Sequence, residues 1–345
     1  MTLASVAVVI PCRDRGHCIA ESLASVFAQT RPPREVHVID DGSKDDSVQV
    51  IERAFANAGA IRCFLTVRDH RGVVTTRNEL CRAVTTDYVA FLDSDDIYAP
   101  QRLEAILDRA PREGHFLGFS GIDFHSARSE EDGEQSLTAW HEEYRRRLAQ
   151  GMSLPTAGFS LLHSHIAITQ SNYVISRGLF DAVGGFDSRM HISDDWDFAV
   201  QSLPFVEPTF VPEPLMTYRL HTGNISARCP EPKKAQDISR VLDKAAGWMV
   251  GPTPNPLAPT PHNWPQLFRI FAVLNQSAAG VSLASRLPQE VLLSVGEAAR
   301  SRSAPAREAE AIRELIASAR LENAGDGHST LELMQRCHRQ WSSQT

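Results

Sequence analysis

Three carboxylates lie within four residues in the stretch VAFLDSDDIYAP, residues 89–100. Asp93, Ser94, Asp95 and Asp96 directly follow an apolar run. One or two of these side chains could cap the next helix, but three such close carboxylates raise the cost of ionising one another unless a cation neutralises them. Carboxylate oxygens suit Mg²⁺ and Mn²⁺, which also bind phosphate oxygens. We therefore predict that this cluster binds Mn²⁺ or Mg²⁺ together with a diphosphate.

Two further acidic stretches contain candidate functional residues. In DDGSKDDS, Asp41 and its neighbours could cap a helix, or a carboxylate at a strand end could accept the N–H of a nucleobase. In SDDWD, Asp194 and Asp195 could complement a helix dipole, or one of them could act as a general base toward a hydroxyl group. The spacing alone does not choose between these alternatives.

Basic residues accompany the acidic stretches. Arg77 in TTRNEL lies in a helical pattern, where it could face solvent or clamp a diphosphate at the strand ends. Arg219 and His221 in YRLHTGNIS could simply end a strand, or could contribute a cation and a metal-binding imidazole. All three are therefore candidates for binding a phosphorylated ligand.

The elements that must position these residues alternate along the first part of the chain. Strand patterns cover 5–10, 35–43, 61–67 and 88–93, and helical patterns cover 18–29, 47–59 and 73–84. This alternation predicts an α/β fold with a mainly parallel sheet. Ligands of such sheets bind at the carboxyl ends of the strands, where the stretches PCRDR, DDGSKDDS and DSDD all fall.

The composition restricts the class of protein. The 345 residues carry a formal charge of −7, which argues against a nucleic-acid partner. The six cysteines include no close CxxC pair, so we expect neither a zinc site nor a disulfide scaffold, but reduced thiols in the cytoplasm. Pro11 breaks the first apolar run, which favours a strand over a signal peptide, and no stretch approaches the ~18 apolar residues of a membrane span.

The chain exceeds the length of one average domain, and we expect three parts. Residues 1–228 would form the α/β domain, 229–265 a proline-rich linker or wrapping segment, and 266–345 a helical C-terminal region. The prolines of GPTPNPLAPTPHNWP cannot continue a helix or an inner strand. The C-terminal helices could dock a partner, form a homodimer or bring the protein to the inner face of a membrane.

Seven stretches, taken in order, resemble the family 2 glycosyltransferases, an inverting group with the GT-A fold. They lie between residue 5 and about residue 228, and they are VAVVIPCRDRGHCIAESLASVFAQT, EVHVIDDGSKDDS, RGVVTTRN, YVAFLDSDDIYAP, GGFD, SDDWDFAV and YRLHTGNIS. The resemblance implies a Rossmann-like, mainly parallel sheet flanked by helices, here with a C-terminal helical extension. It also implies a nucleotide-sugar donor, usually a UDP-sugar, bound through a divalent cation.

The resemblance further implies roles for individual residues. Asp195 matches the catalytic base, but the family's Glu-Asp pair is Asp-Asp here, so Asp194 and Asp195 could exchange roles. Gln201 replaces an arginine that is common in the same helix of the family. The metal site would comprise Asp95, Asp96 and His221. The nucleotide-sugar site would comprise Pro11, Arg13, Asp41, Arg77, Asp93, Ser94 and Arg219.

The expected activity is inverting, metal-dependent transfer of a hexose or N-acetylhexosamine to a hydroxyl group. The acceptor would be a glycan, a glycolipid or another glycoconjugate, as in polysaccharide biosynthesis. One alternative is a sugar-phosphate nucleotidyltransferase, but PCRDRG lacks the glycine-rich loop that such an enzyme needs. A second alternative is a non-catalytic nucleotide- or glycan-binding module, which the acids present in all three stretches argue against.

Overall fold

The computed structural model describes residues 4–126, 130–221 and 223–264, together with residues 267, 283, 285–288 and 291. The strands are β1 (Val6–Cys12), β2 (Glu35–Asp41), β3 (Arg62–Arg68), β4 (Tyr88–Phe91), β5 (Ile97–Tyr98), β6 (Leu117–Ser126), β7 (Val174–Ser176) and β8 (Thr209–Leu220). The α-helices are α1 (Ile19–Phe27), α2 (Ser47–Phe55), α3 (Val73–Ala83), α4 (Arg102–Leu107), α5 (Glu130–Met152), α6 (Ala157–His163), α7 (Arg177–Val183), α8 (Asp194–Ser202), α9 (Ile225–Arg228) and α10 (Glu231–Met249), and a 3₁₀ helix covers Gln170–Asn172. Every strand and helix predicted between residues 5 and 93 is present within a few residues of its expected bounds.

The strands of the described part of the chain form one sheet in the order β3-β2-β1-β4-β7-β6-β8-β5. Strand β1 pairs in parallel with β2 and β4, β2 with β3, and β6 with β8, whereas β5 and β7 pair antiparallel with their neighbours. The predicted mainly parallel sheet is therefore confirmed. Because parallel strands end at the same edge, β1, β2 and β4 bring Pro11, Asp41 and Asp93 close together.

Strand β1 is buried on both faces because its side chains alternate between two helical layers. Val8 and Ile10 belong to a core that includes Ile19 and Leu23 of α1. Val9 points to the opposite face, into a core that also contains residues of α3, α7 and α8. Unbroken β-branched runs are typical of strands covered on both sides by helices. The two layers leave the carboxyl edge of the sheet free for the polar residues that follow the strands.

The charge-rich stretch with a weak pattern, residues 100–165, contains β6 and the long helix α5. Aromatic side chains join these two elements, since the rings of Phe124 and Tyr144 lie 5.4 Å apart in an edge-to-face arrangement. Apolar residues at every third or fourth position identify a helix only weakly when few of its side chains are buried. Its position beside β6 is therefore a result of the tertiary structure.

Helix α10 lies in the segment that the sequence predicted as a linker or wrapping segment. Apolar residues repeat at helical spacing along it, and Val241, Leu242 and Met249 pack in one core with Trp196 and Val200 of α8. Residues 231–249 thus extend the packed unit beyond the boundary expected at residue 228.

The proline-rich segment that follows α10 packs back onto the same unit. The Asn255 backbone N–H donates to the Pro204 carbonyl at 2.9 Å, the Asn255 side chain donates to the Leu203 carbonyl at 2.8 Å, and Ala258 is fully buried. The expected helical region 266–345 lies almost entirely outside the described residues, so the division into three parts stays a prediction. None of the described helices combines the length and apolar character that a bilayer crossing requires.

Candidate functional site

A cavity of about 690 Å³ opens at the carboxyl ends of β1, β2 and β4. Its lining includes residues from all three acidic stretches, although these are widely separated in the sequence. The predicted site residues that line it are Pro11, Arg13, Asp41, Arg77, Asp93, Ser94, Asp95, Asp194 and Asp195. Three predicted residues, Asp96, Arg219 and His221, are not among the lining residues.

The three carboxylates of DSDD have different environments. Asp93 accepts hydrogen bonds of 2.8 and 3.1 Å from the Arg77 guanidinium. Asp95 accepts from Arg15 Nε at 3.1 Å, and its Oδ2 lies 3.0 Å from His221 Nε2. Burial acts to raise the pKa of Asp95, but the hydrogen bond from His221 and the charge of Arg15 outweigh it and lower the pKa. Asp95 is therefore a carboxylate that stays ionised while it faces the cavity.

Asp96 points away from the cavity and is 1% exposed. Its carboxyl accepts from the Ser171 hydroxyl at 2.5 Å and from the Arg219 backbone N–H at 3.1 Å. Burial, followed by the charges of Asp95 and Asp93, raises the pKa of Asp96 well above its usual range. A buried carboxyl with a raised pKa is a poor cation ligand, so Asp96 fits a structural role that links β8 to the 3₁₀ helix.

Asp95 and His221 are the two predicted metal ligands that the fold brings together. His221 Nδ1 accepts the Gly223 backbone N–H at 3.0 Å, so Nε2 carries the ring proton in this arrangement and donates it to Asp95. His221 is thus arranged to donate a hydrogen bond, whereas Asp95 offers carboxylate oxygens. Mg²⁺ commonly uses one or two carboxylates together with substrate phosphates and water, and Asp95 fits that pattern. The described residues contain no cluster of three or more His, Cys, Asp or Glu side chains suited to a metal ion.

Arg77 on α3 connects the DSDD stretch to the SDDWD stretch. Its Nη1 donates to Asp194 Oδ2 at 2.7 Å and its Nη2 donates to Asp93. Burial acts to lower the pKa of Arg77, but the charges of Asp194 and Asp93 reverse the effect and raise it, so the guanidinium stays charged. The predicted clamp therefore already has two carboxylate partners at the base of the cavity.

The geometry distinguishes Asp194 from Asp195. Both lie in the first turn of α8, where acidic side chains complement the helix dipole. Asp194 is paired with Arg77, whereas no arginine or lysine of the described residues forms an ion pair with Asp195. Burial, followed by the charge of Asp194, raises the pKa of Asp195 well above its usual range. A carboxylate with a raised pKa in a cavity can take a proton, and Asp195 has that character.

The partly buried ring of His165 and the buried ring of Tyr173 lie beside Asp195. His165 Nε2 is 3.8 Å from Asp195 Oδ2, and the His165 ring stacks on Tyr173 at 6.4 Å. Burial lowers the pKa of His165 to about 3, so this imidazole is neutral. Asp195 is therefore supported by neutral groups on this side, which preserves its tendency to bind a proton.

Asp41 lies at the end of β2 and organises the loop that precedes α3. It accepts the backbone N–H groups of Arg71 and Gly72 at 2.9 and 2.8 Å, its Oδ2 lies 2.8 Å from His70 Nδ1, and its Oδ1 forms an ion pair with Arg68 Nη1 at 3.0 Å. Burial acts to raise the pKa of Asp41, but the bonds from Arg71 and Gly72 outweigh it and lower the pKa. A nucleobase N–H would have to share the Asp41 carboxylate with these partners or replace one of them.

Gly72 and Gly42 allow this loop to form. Gly72 has φ +93° where the chain enters α3, a conformation that disfavours other residues. Gly42 has φ +81°, and a Cβ there would lie 2.9 Å from the His70 backbone nitrogen. The cavity wall formed by His70 therefore depends on both glycines.

Arg219 is directed away from the cavity, where its guanidinium pairs with Glu21 while its backbone supports Asp96. The cationic groups that line the cavity instead include Arg15 and Arg228. Arg15 lies two residues after Arg13 in PCRDRG, so the sequence could have indicated it as a site residue. Arg228, His70 and His191 had no such signal, because only the folded chain brings them to the site.

The chain is similar in sequence to known glycosyltransferases. Residues 7–169 match the model of glycosyl transferase family 2. An uncharacterized glycosyltransferase of Haemophilus influenzae is 23% identical over 239 residues, which cover 68% of this chain and 75% of that protein. Chondroitin synthase of Escherichia coli is 31% identical over 103 residues, but these cover only 30% of this chain and 15% of the synthase. The succinoglycan biosynthesis protein ExoU of Rhizobium meliloti is 32% identical over 104 residues, 30% of each chain.

Solved structures support the fold. The chain aligns with TarS 1-349 of S. aureus in complex with UDP at a TM-score of 0.55 and 16% identity, over 92% of both chains. It aligns with the mannosyltransferase PcManGT of Pyrobaculum calidifontis, in complex with GDP-Man and Mn²⁺, at a TM-score of 0.53 and 19% identity, over 95% of this chain and 89% of the other. At these identities the likeness concerns the fold, and it confirms the predicted GT-A class. Together with the family match over residues 7–169 and the relatives, it supports the interpretation of this chain as a glycosyltransferase of family 2.

Proposed function

We propose that the enzyme transfers a sugar from a nucleotide-diphosphate sugar, most readily a UDP-sugar, to a hydroxyl group of a glycan, glycolipid or other glycoconjugate. The observation that carries the proposal is the position of Asp95 and Asp195 in one cavity. The first is an ionised carboxylate suited to a cation and a diphosphate. The second has a raised pKa and no arginine or lysine as an ion-pair partner among the described residues.

The reaction we propose is a single displacement with inversion. Asp195 takes the proton of the acceptor hydroxyl while the oxygen of that hydroxyl forms a bond with the anomeric carbon of the donor sugar. The bond from that carbon to the diphosphate oxygen breaks on the opposite side, and the bonding electrons leave with the diphosphate. One carboxylate is sufficient for this reaction, whereas a retaining hydrolase would need a second one across the scissile bond.

The leaving diphosphate gains negative charge, and cationic groups of this chain are placed to stabilise it. Arg15 and Arg228 line the cavity, where their guanidinium groups can face the diphosphate. Asp95 is the residue that would hold Mn²⁺ or Mg²⁺, and such an ion would neutralise part of the diphosphate charge. The TarS complex with UDP and the PcManGT complex with GDP-Man and Mn²⁺ support this assignment by likeness of fold.

The role of Arg77 in this proposal is to hold Asp93 and Asp194 in place. A buried guanidinium with two carboxylate partners fixes the distance between the sugar-donor side and the acceptor side of the cavity. Effective catalysis requires reacting groups to be held in such a defined geometry. Asp194 therefore acts as the partner of Arg77, and Asp195 as the base.

A panel of nucleotide sugars tests the proposal directly. The purified protein is incubated with UDP-, GDP-, dTDP- and CMP-sugars, with Mn²⁺, Mg²⁺ or EDTA, and nucleotide release is measured by chromatography. We expect slow release from one class of donor, greatest with UDP-sugars, that is lost in EDTA and restored by added Mn²⁺. Release of nucleotide from none of the donors, or equal release in EDTA, would contradict the proposal.

A further inference from the structure

The loop directly before the catalytic helix α8 is fastened by a residue of α10. Asp237 Oδ2 accepts the backbone N–H groups of His191, Ile192 and Ser193 at 2.8, 2.9 and 3.2 Å. The Asp237 residue is fully buried. This carboxylate therefore connects α10 to the residues that lead into Asp194 and Asp195.

The other oxygen of Asp237 contacts the imidazole of His191. The distance from Asp237 Oδ1 to His191 Nδ1 is 2.9 Å, and Arg240 Nη1 lies 3.5 Å from the same oxygen. Burial acts to raise the pKa of Asp237, but the hydrogen bonds from Ile192 and His191 outweigh it and lower the pKa. An ionised carboxylate only accepts hydrogen bonds, so His191 Nδ1 must carry a proton.

The second ring nitrogen of His191 is left for a ligand. In the neutral imidazole, a proton on Nδ1 leaves a lone pair on Nε2. No hydrogen bond to Nε2 occurs among the described residues, and the side chain is 30% exposed. His191 lines the same cavity as Ile192, Asp194 and Asp195. Nε2 of His191 is therefore a hydrogen-bond acceptor, oriented by Asp237, in the same cavity as the proposed base.

The position of His191 separates it from the groups assigned to the nucleotide diphosphate. Arg13, Arg15 and Asp95 line the part of the cavity at the ends of β1 and β4, whereas His191 belongs to the loop that carries the base. The hydroxyl that Asp195 deprotonates must come from the acceptor. A second hydroxyl of the same acceptor can then reach the lone pair of His191.

We propose that His191, oriented by Asp237, binds a hydroxyl group of a sugar acceptor beside the hydroxyl that Asp195 deprotonates. His191 is an acceptor-binding residue in this arrangement, and Asp237 is its positioning residue. The inference rests on the proposed function, because the base defines the acceptor side. Both residues lie beyond residues 7–169, the part that matches the family model.

The isosteric variant Asp237→Asn distinguishes hydroxyl binding by His191 from a purely structural role of Asp237 in holding the loop. In Asp237→Asn, the amide oxygen can still accept the backbone N–H groups, but the amide nitrogen faces His191 Nδ1 and donates to it. The proton of His191 then moves to Nε2, which turns the acceptor atom into a donor. Arg240→Gln is the matched control, because it removes a neighbouring charge on α10 and keeps the Asp237–His191 hydrogen bond.

The experiment measures the His191 ring by ¹H–¹⁵N NMR in wild type and both variants. The ring tautomer is recorded first. Methyl α- and β-pyranosides of glucose, galactose, mannose and N-acetylglucosamine are then titrated in the presence of UDP. We expect a His191 proton on Nδ1 in wild type and in Arg240→Gln, and on Nε2 in Asp237→Asn. At least one glycoside should shift the wild-type ring resonances, with affinity lowered about tenfold in Asp237→Asn, as for one lost hydrogen bond.

Two results would overturn the inference. One is the absence of a ring shift with every glycoside in the wild-type protein. The other is unchanged glycoside affinity in Asp237→Asn after its tautomer has changed. UDP affinity and the midpoint of thermal unfolding report whether each variant is folded. If Asp237→Asn unfolds, calorimetric glycoside titration of His191→Phe, which has no ring nitrogen, replaces the ring measurement. Nucleotide release from the sugar panel is measured separately, so failure of the proposed transferase activity is distinguishable from failure of this inference.

Discussion

Arg77 Nη1 donates a 2.7 Å hydrogen bond to Asp194 Oδ2, although 117 residues separate the two in the chain. The same guanidinium donates to Asp93, so one side chain of α3 holds two acidic stretches at the base of the cavity. Buried ion pairs of this kind contribute more to geometry than to net stability, and removal of one partner leaves an uncompensated charge. Arg77 is therefore the residue whose loss should disturb both halves of the site.

Arg77→Met should abolish nucleotide-sugar turnover and destabilise the fold. The variant leaves Asp93 and Asp194 without their cation, which typically costs about 3–5 kcal/mol. The free energy of unfolding in urea and the rate of nucleotide release measure the two effects. Arg82→Met on the same helix is the control, because Arg82 is exposed. An Arg77→Met protein with wild-type stability would show that the buried bridge is not formed.

Asp195→Asn should lose turnover while it retains UDP binding. Removal of a general base typically costs about 10²- to 10⁴-fold in rate. Asp194→Asn is the matched comparison, since it should lower stability through the loss of the Arg77 ion pair as well as activity. Initial rates and calorimetric UDP titration give the two quantities. Equal stability and equal residual rates in the two variants would argue against separate roles for the adjacent carboxylates.

The rate of transfer should depend on the protonation of Asp195. Burial and the charge of Asp194 raise the pKa of this carboxyl, and a general base must be deprotonated to act. The rate should therefore fall as the pH decreases through a value above the ordinary aspartate pKa of about 4. A pH profile of nucleotide release measures it. A rate that stays constant down to about pH 4 would be inconsistent with the raised pKa.

The raised pKa of Asp195 should make the folded protein less stable as the pH rises, although the transfer rate increases. A carboxyl whose pKa is raised by folding is stabilising when protonated at low pH, and this contribution is lost as the pH rises through the folded-state pKa. At pH 8 the wild-type protein should therefore be less stable than Asp195→Asn, in which no charge is buried. Urea unfolding at pH 5 and pH 8 checks the sign. A destabilised Asp195→Asn at pH 8 would contradict it.

Asp41→Asn should loosen the loop before α3 and weaken UDP binding. The lowered pKa of Asp41 means that its stabilising contribution is present above the ordinary aspartate pKa and is lost as the pH falls. The loss of charge-assisted bonds at one buried carboxylate should cost about 1–3 kcal/mol at pH 7. Urea unfolding and UDP titration measure the change. The variant and the wild type should converge in stability at low pH, and a constant difference would contradict the assignment.

Asp95 and Asp96 should differ in their effect on cation dependence. Asp95→Asn removes the cavity-facing carboxylate and should raise the Mn²⁺ concentration for half-maximal activity by about tenfold or more. Asp96 is buried with Ser171 and Arg219, so Asp96→Asn should leave that concentration within about twofold while it alters stability. Activity is measured across a Mn²⁺ titration. A larger shift in Asp96→Asn than in Asp95→Asn would reverse the two roles.

The tertiary structure distinguishes the roles of residues that are adjacent in the sequence. Asp93, Ser94, Asp95 and Asp96 formed one acidic cluster in the sequence, but the chain turns after β4, so Asp95 faces the cavity and Asp96 faces the core. Adjacent residues can point to opposite sides of a turn, and sequence spacing does not record that direction. Arg219 was expected in the nucleotide-sugar site from the stretch YRLHTGNIS and its resemblance to the family, but its guanidinium is paired with Glu21.

The alternation of strands and helices, and the edge of the sheet at which the polar stretches meet, could be predicted from the sequence. Local hydrophobic periodicity is sufficient for this prediction. The strands are only 4–7 residues long, so the apolar pattern of each strand and of the helix after it is visible in a short stretch of sequence. The bridge of Arg77 between Asp93 and Asp194, and the contact of Asp237 with His191, could not be predicted and became visible only in the folded chain. These contacts connect residues far apart in the chain, and their distances depend on how whole helices pack.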